Sequence, residues 1–188
     1  EDGEDKIELE EAYTQTMPGF NLPNGLSAKA GRAFWTLGYL NEHHAHADDF
    51  ADRPLPYRVF LNKAFNDDGV EFSYVLPTDF YAEIGGGVFR GDDFPLGNAD
   101  GEIFRQWSSY ARIGGDIGYD QSWRLGGYTL SGEPTGGRTS NESTVTFIGD
   151  TKIYVTDFRY TWAPGGNSRQ KEIILQGEYF WRDETGTY

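Results

Sequence analysis

Apolar and polar residues alternate with a period of two through most of the chain, and a helical period is nearly absent. The clearest run is 171–183. There Ile173, Leu175, Gly177, Tyr179 and Trp181 share one face, and Glu172, Ile174, Gln176, Glu178, Phe180 and Arg182 share the other. Within 108–119, Ala111, Ile113, Gly115, Ile117 and Tyr119 oppose Arg112, Gly114, Asp116 and Gly118. Within 122–132, Trp123 and Leu125 oppose Arg124. The pattern predicts eight strands, near 6–16, 26–35, 69–77, 80–91, 108–119, 122–132, 150–163 and 171–183. Asp120 and Gln121 join the fifth and sixth as a tight hairpin.

The links between these strands alternate in length. Short links at 17–25, around Pro77-Thr78-Asp79, at 120–121 and at 164–170 are interleaved with long ones at 36–68, 92–107 and 133–149. Up-and-down barrels of bacterial outer membranes sort their loops in this way, with short turns on one side and long loops on the other. A soluble sandwich has no reason to do so. Strands of about ten residues also fit a tilted crossing of a bilayer.

The two faces agree with that expectation. One carries aliphatics, with Trp35, Tyr119, Trp123, Trp162, Tyr179 and Trp181 near strand ends, where rings suit a membrane interface. The other carries Lys29, Glu71, Glu83, Arg112, Asp116, Arg124, Asp157, Arg159, Glu178 and Arg182. Ten charges are costly in a dry core and at home in a wet lumen. The solvent side of a soluble antiparallel sheet would show the same alternation, so that alternative stays open. The expected fold is all-β: an antiparallel up-and-down transmembrane β-barrel treated as a single domain over 1–188. With eight strands both chain ends fall on the long-loop side, which leads us to expect a piece of a larger barrel.

Composition removes other classes. Sixteen Lys and Arg against thirty Asp and Glu give a net charge of -14, which leaves no basic stripe for nucleic acid. It also disfavours docking on an anionic lipid surface. No run approaches the ~20 apolar residues of a spanning helix. There is no cysteine, so disulfides, thiolate metal sites and cysteine nucleophiles are excluded. Twenty-five glycines and 16% aromatic residues suit a β-rich chain with many turns.

Ile7–Thr16 (IELEEAYTQT) followed by Gly25–Gly38 (GLSAKAGRAFWTLG) resembles the phosphate-selective-porin-like group of outer-membrane β-barrels. The stretch GYLNEHHAHADDFADRPLPYR (38–58) looks like the signature loop of a porin-like subgroup, and DDGVEFSYVLPTDFYAEIG and FRYTWAPGGN extend the likeness. The resemblance implies a porin-like channel in the bacterial outer membrane. Its partners would be outer-membrane lipid and small hydrophilic solutes or ions, with a homo-oligomer as one expected state. Phosphate selectivity needs a basic ladder along the pore. This acidic chain departs from that requirement, so phosphate is not carried over.

Candidate chemistry is concentrated in the loop at 36–68. Its His43, His44 and His46 lie among Asp48, Asp49 and Asp52, ligand types that suit a divalent transition metal such as zinc. The competing reading is a solvated acidic loop whose histidines shape the pore mouth. The Gly85-Gly86-Gly87 run lies within a strand, so it reads as room for close packing rather than as a phosphate loop. Asp67-Asp68-Gly69 reads as a turn entering a strand. No carboxylate has an identifiable acid–base partner and no serine neighbours a histidine in sequence, so an enzyme is not expected. A channel with the ten charged residues lining its pore, and the loop at 36–60 narrowing it, is the expectation. The alternative is a soluble or surface-exposed β-sandwich or barrel that binds metal or carbohydrate.

Overall fold

A computed structural model describes residues 9–17, 22–44, 48, 51–92, 94–96, 104–132, 138–139 and 145–188. The strands are β1 (Ala12–Gln15), β2 (Leu26–Phe34), β3 (Asn66–Val75), β4 (Tyr81–Phe89), β5 (Gln106–Ile117), β6 (Gln121–Gly132), β7 (Arg138–Thr139), β8 (Thr146–Trp162) and β9 (Ile173–Thr187). All pairings are antiparallel. Eight strands follow one another up and down in one sheet, and the two-residue β7 forms a small hairpin with β8. The sheet is not closed. β1 pairs with β2 alone and β9 with β8 alone, so each leaves one edge without a partner among the described residues.

The alternation of link lengths also stands. Residues 76–80 and 118–120 are tight links, whereas 35–65 and 90–105 are long. One α-helix, α1 (Leu55–Phe60), is described, and among the described residues no helix is long and apolar enough to cross a membrane. Asp67-Asp68-Gly69 departs from its expected role. All three residues lie inside β3, and the fully buried Asp67 carboxylate accepts the N–H groups of Asp68 and Gly91, both at 2.7 Å. That carboxylate ties β3 to the loop after β4, where the sequence reads as a turn entering the strand.

Register decides which side chains share a face, because paired residues in antiparallel strands point the same way. From β4 to β9 one face carries the rows Gly85–Tyr110–Tyr128–Val155–Phe180, Glu83–Arg112–Gly126–Asp157–Glu178 and Tyr81–Gly114–Arg124–Arg159–Gln176. Lys29 and Glu71 pair on the same face. We call it the inner face, because the long link 35–65 folds back on it. Trp35, Leu37, Tyr57, Leu61 and Phe65 from that link pack with Phe89, Tyr110, Tyr128, Leu130, Ile153, Val155 and Phe180 in one hydrophobic cluster.

One side chain satisfies backbone groups at both ends of the link. Asn41, fully buried, donates from Nδ2 to the carbonyls of Trp35 (2.7 Å) and Phe65 (3.0 Å), and its Oδ1 accepts the Phe65 N–H at 2.6 Å. It thereby closes a 31-residue excursion whose open end carbonyls would otherwise be costly. Pro54 precedes α1 and Pro56 lies in its first turn, where a missing N–H costs nothing.

The opposite, outer face is apolar and open. Phe72, Ile84, Val88, Trp107, Ile113, Leu125, Phe158, Leu175, Tyr179 and Trp181 all point outward and are exposed. The outward strand positions that carry charge are Arg32, Asp68, Asp150, Lys152 and Asp183, each toward the long-link end of its strand. Trp123, Trp162, Tyr179 and Trp181 face outward as expected, and Tyr119 is exposed in a turn. Trp35 does not. It follows β2, points inward, is fully buried and donates from Nε1 to the Asp67 carbonyl at 2.8 Å. Its parity matches Lys29, so the same alternation places it in the core.

Candidate functional site

Strand parity puts all ten of the expected pore-lining charges on the inner face. They are not a uniform wet wall. Several are locked into a network that fastens the folded link, and that network is built one side chain at a time.

Glycine makes room for it. A Cβ at Gly85 would come within 2.4 Å of the Tyr110 ring, and one at Gly126 would meet the Tyr128 hydroxyl at 2.3 Å and the Asp157 carboxylate at 2.5 Å. A Cβ at Gly87 would meet the Phe89 ring at 2.5 Å. Aromatic side chains therefore lie flat along the inner face over glycine notches. The expectation that the Gly85-Gly86-Gly87 run serves close packing agrees with this arrangement.

Arg112 is a hub at 7% exposure. Its guanidinium pairs with Glu42 of the link and, at 3.5 Å, with Glu83 of β4, while Nε donates to the Tyr128 hydroxyl at 3.1 Å. The Tyr128 hydroxyl donates in turn to Asp157 at 2.8 Å, and Asp157 also accepts from Arg124 at 2.9 Å. Glu83 further accepts from Tyr110 at 3.4 Å and from Tyr81. Each charged group in this chain of contacts has an oppositely charged partner, which offsets the cost of burial, although Asp157 Oδ1 and Arg124 Nε make no hydrogen bond.

Glu178 on β9 fastens the link from the other side. Its Oε1 accepts the backbone N–H groups of Tyr39 and Leu40, the latter at 3.2 Å, and the Tyr57 hydroxyl at 3.1 Å. Burial and the adjacent Glu178 charge push the Tyr57 hydroxyl well above the usual phenol range. Glu71 accepts the Thr36 N–H at 3.2 Å and its hydroxyl at 2.8 Å. Lys29 donates to the Phe34 carbonyl at 3.0 Å and lies over the Tyr13 ring. Arg182 pairs with Glu184 at 3.4 Å and covers the Phe60 ring. Asp116 is exposed, near the short-link end of β5.

Tyr39 sits where the link meets the row that carries Arg124 and Arg159. Arg124 and Arg159 both stack on its ring, at 4.9 and 4.5 Å from the centroid, and the His43 ring lies 4.7 Å away. Arg159 also donates to the Gln176 side-chain carbonyl. His43 is held below the ordinary imidazole value. Burial is the largest cause; Asp48 opposes it, and Arg124, Arg159 and Arg53 add to it.

The described members of the candidate metal set, His43, His44, Asp48 and Asp52, face different partners. His43 faces Tyr39, whereas His44 turns away to Glu10 and Glu11, its two ring nitrogens 3.6 and 2.9 Å from different carboxylates. Asp48 pairs with Arg53 at 2.8 Å, and Asp52 is exposed. His46 and Asp49 lie outside the described residues. Among the described residues no three His, Asp or Glu side chains converge as metal ligands. The loop spends its charged groups on holding itself, with Arg53 also donating to the carbonyls of Leu40 (2.9 Å) and His43.

Sequence reasoning missed Tyr39, Glu42, Tyr57, Tyr110 and Tyr128 as members of the site. Extending period two back from Arg112 reaches Tyr110, and forward from Arg124 reaches Tyr128, so those two carried a signal. Tyr39, Glu42 and Tyr57 lie in the link, where no period exists. Beside the network a polar pocket of about 400 Å³ opens on the inner face, lined by Lys29, Glu42, Glu71, Glu83 and Arg112 among others.

Neither a family model nor a solved structure matches this chain. A protein of Aquifex aeolicus described as "Uncharacterized protein" is 28% identical over 202 residues, covering 98% of this chain and 40% of the relative. The chain thus spans two fifths of that relative's length.

Proposed function

We propose that this sheet is part of the wall of a porin-like β-barrel channel in the bacterial outer membrane, passing small hydrophilic solutes or ions. The observation that carries the reading is the inverted arrangement of the two faces. Charges and their partners line the inner face under a folded link, while the outer face is apolar and exposed across β3 to β9. A contiguous exposed apolar surface of this extent needs a cover, and lipid is the cover that leaves both sheet edges free for further strands. A soluble sandwich would need a second sheet over the outer face and a dry inner one. Barrel closure, outer-membrane placement and the porin resemblance belong to this proposal. In it, the link 35–65 narrows the lumen from the wall inward.

Liposome swelling tests the reading. Proteoliposomes containing the full polypeptide should swell in iso-osmotic solutions of small sugars and amino acids, and empty liposomes should not. A protein that stays monomeric in water without detergent and produces no swelling would overturn it.

A further inference from the structure

We propose that Arg159, with Arg124 beside it, forms an anion subsite on the inner face, and that the solute it takes carries a carboxylate. The inference deepens the channel reading by naming a solute class, and it rests on that reading for its function.

The two arginines are direct cross-strand partners between β6 and β8. Like charges placed directly opposite one another destabilise a sheet, so this pairing needs an offset. One part is visible: Asp157 accepts from Arg124 at 2.9 Å. The other part is the Tyr39 ring, whose faces attract both guanidiniums. These contacts account for Arg124 and leave Arg159 short. Its partners are the Tyr39 ring and the neutral Gln176 amide, with no carboxylate within ion-pair distance among the described residues.

The surrounding acids are already committed. Glu178 is taken by Tyr39, Leu40 and Tyr57, Glu83 by Arg112 and two tyrosines, and Asp157 through Oδ2 by Arg124 and Tyr128, its buried Oδ1 making no hydrogen bond. Asp116 lies one inner-face row beyond, on β5, two strands from Arg159. Arg159 is half-buried, fixed in orientation by stacking and by one bond, and keeps its remaining N–H donors for an incoming group. A guanidinium held in this way is pre-organised for the forked geometry of a carboxylate. Arg124 lies beside it in the same row and adds its positive charge to the site.

The test is acetate binding to the full protein in detergent, followed by saturation-transfer NMR. It compares wild type with Arg159→Gln, Arg159→Lys and, as a control in an exposed turn, Arg169→Gln. Saturable acetate binding in wild type and in R169Q, lost in R159Q and weakened roughly tenfold in R159K, is the expected result. Because R159K keeps the charge, it reports on the fork even where R159Q folds poorly. Equal binding by wild type and R159Q, or none by wild type, would overturn the subsite. The same proteins in a planar bilayer separate the two claims. Acetate binding without any conductance would defeat the channel reading and leave the subsite standing. Conductance with no acetate binding would do the opposite.

Discussion

Tyr110 lies over Gly85, its partner across β4 and β5, so closely that a Cβ at Gly85 would stand 2.4 Å from the ring carbon Cζ. The ring cannot retreat, because the next residue in its row is Tyr128, stacked on it with centroids 6.0 Å apart. Overpacking at such a site typically costs about 1–3 kcal/mol. Gly85→Ala should therefore lower the unfolding midpoint in detergent. Gly127→Ala is the matched control, since it faces outward with nothing within 4 Å of its Cβ. That substitution should be neutral or stabilising by a few tenths of a kcal/mol. Equal losses at both positions would show that the inner-face notch is not what Gly85 provides.

Glu178 holds the inner link through three donors that come from two parts of it, Tyr39 and Leu40 on one side and Tyr57 on the other. Glu178→Ala leaves two partly buried N–H groups and a hydroxyl without an acceptor, at about 1–3 kcal/mol for each buried group. The sheet itself loses only one side chain. The expected outcome is faster amide exchange at Tyr39 and Leu40, with exchange in β5 and β6 unchanged. Exchange that rises uniformly over the sheet would mean that Glu178 serves global stability instead of docking the link.

The strands were legible because period two survives in every segment with one apolar face, and the register kept the ten charges in phase across seven strands. Trp35 was misplaced for a physical reason. Tryptophan near a strand end suits a membrane interface, and that expectation overrode a parity that already matched Lys29. The folded link was not legible at all. Its α-helix has six residues, and its shape depends on Asn41 reaching two carbonyls and on Glu178, 139 positions from Tyr39. The open state of the sheet was equally out of reach, since period two says nothing of which edges pair, and among the described residues β1 and β9 are each paired on one side. Ligand types cluster in the histidine run, and its described members His43 and His44 point to different partners.

Acid should loosen the link at His43. The imidazole is depressed by burial, with Arg124, Arg159 and Arg53 around it and Asp48 opposing. A histidine whose folded value lies below its unfolded value of about 6.5 takes up its proton more readily when released. The stability it lends to docking is therefore complete above about pH 6.5 and is lost as pH falls below that. Amide exchange at Leu40 should accelerate between pH 7 and 5 in wild type, after correction for intrinsic rates. His43→Asn should flatten that dependence. The same slope in both proteins would assign the effect to other groups.

The outer face offers the sharpest contrast between a lipid-facing and a water-facing sheet. Leu125 and Ile113 are cross-strand partners at the middle of β5 and β6, both pointing outward and both exposed. In water, lysine at an exposed position of a sheet changes stability by no more than about 0.5 kcal/mol. In a bilayer the same substitution on the lipid face costs about 2–4 kcal/mol near the midplane and falls toward zero at the interfaces. Leu125→Lys should thus impair folding into liposomes strongly. Asp183→Lys, at an outward position already charged and near the long-link end of β9, should have little effect. The ratio of the two penalties reports depth as well as environment. Folding yields into liposomes, measured by protease protection for both variants against wild type, decide the matter. If Leu125→Lys folds as well as Asp183→Lys, the outer face does not meet lipid and the covering partner must be protein.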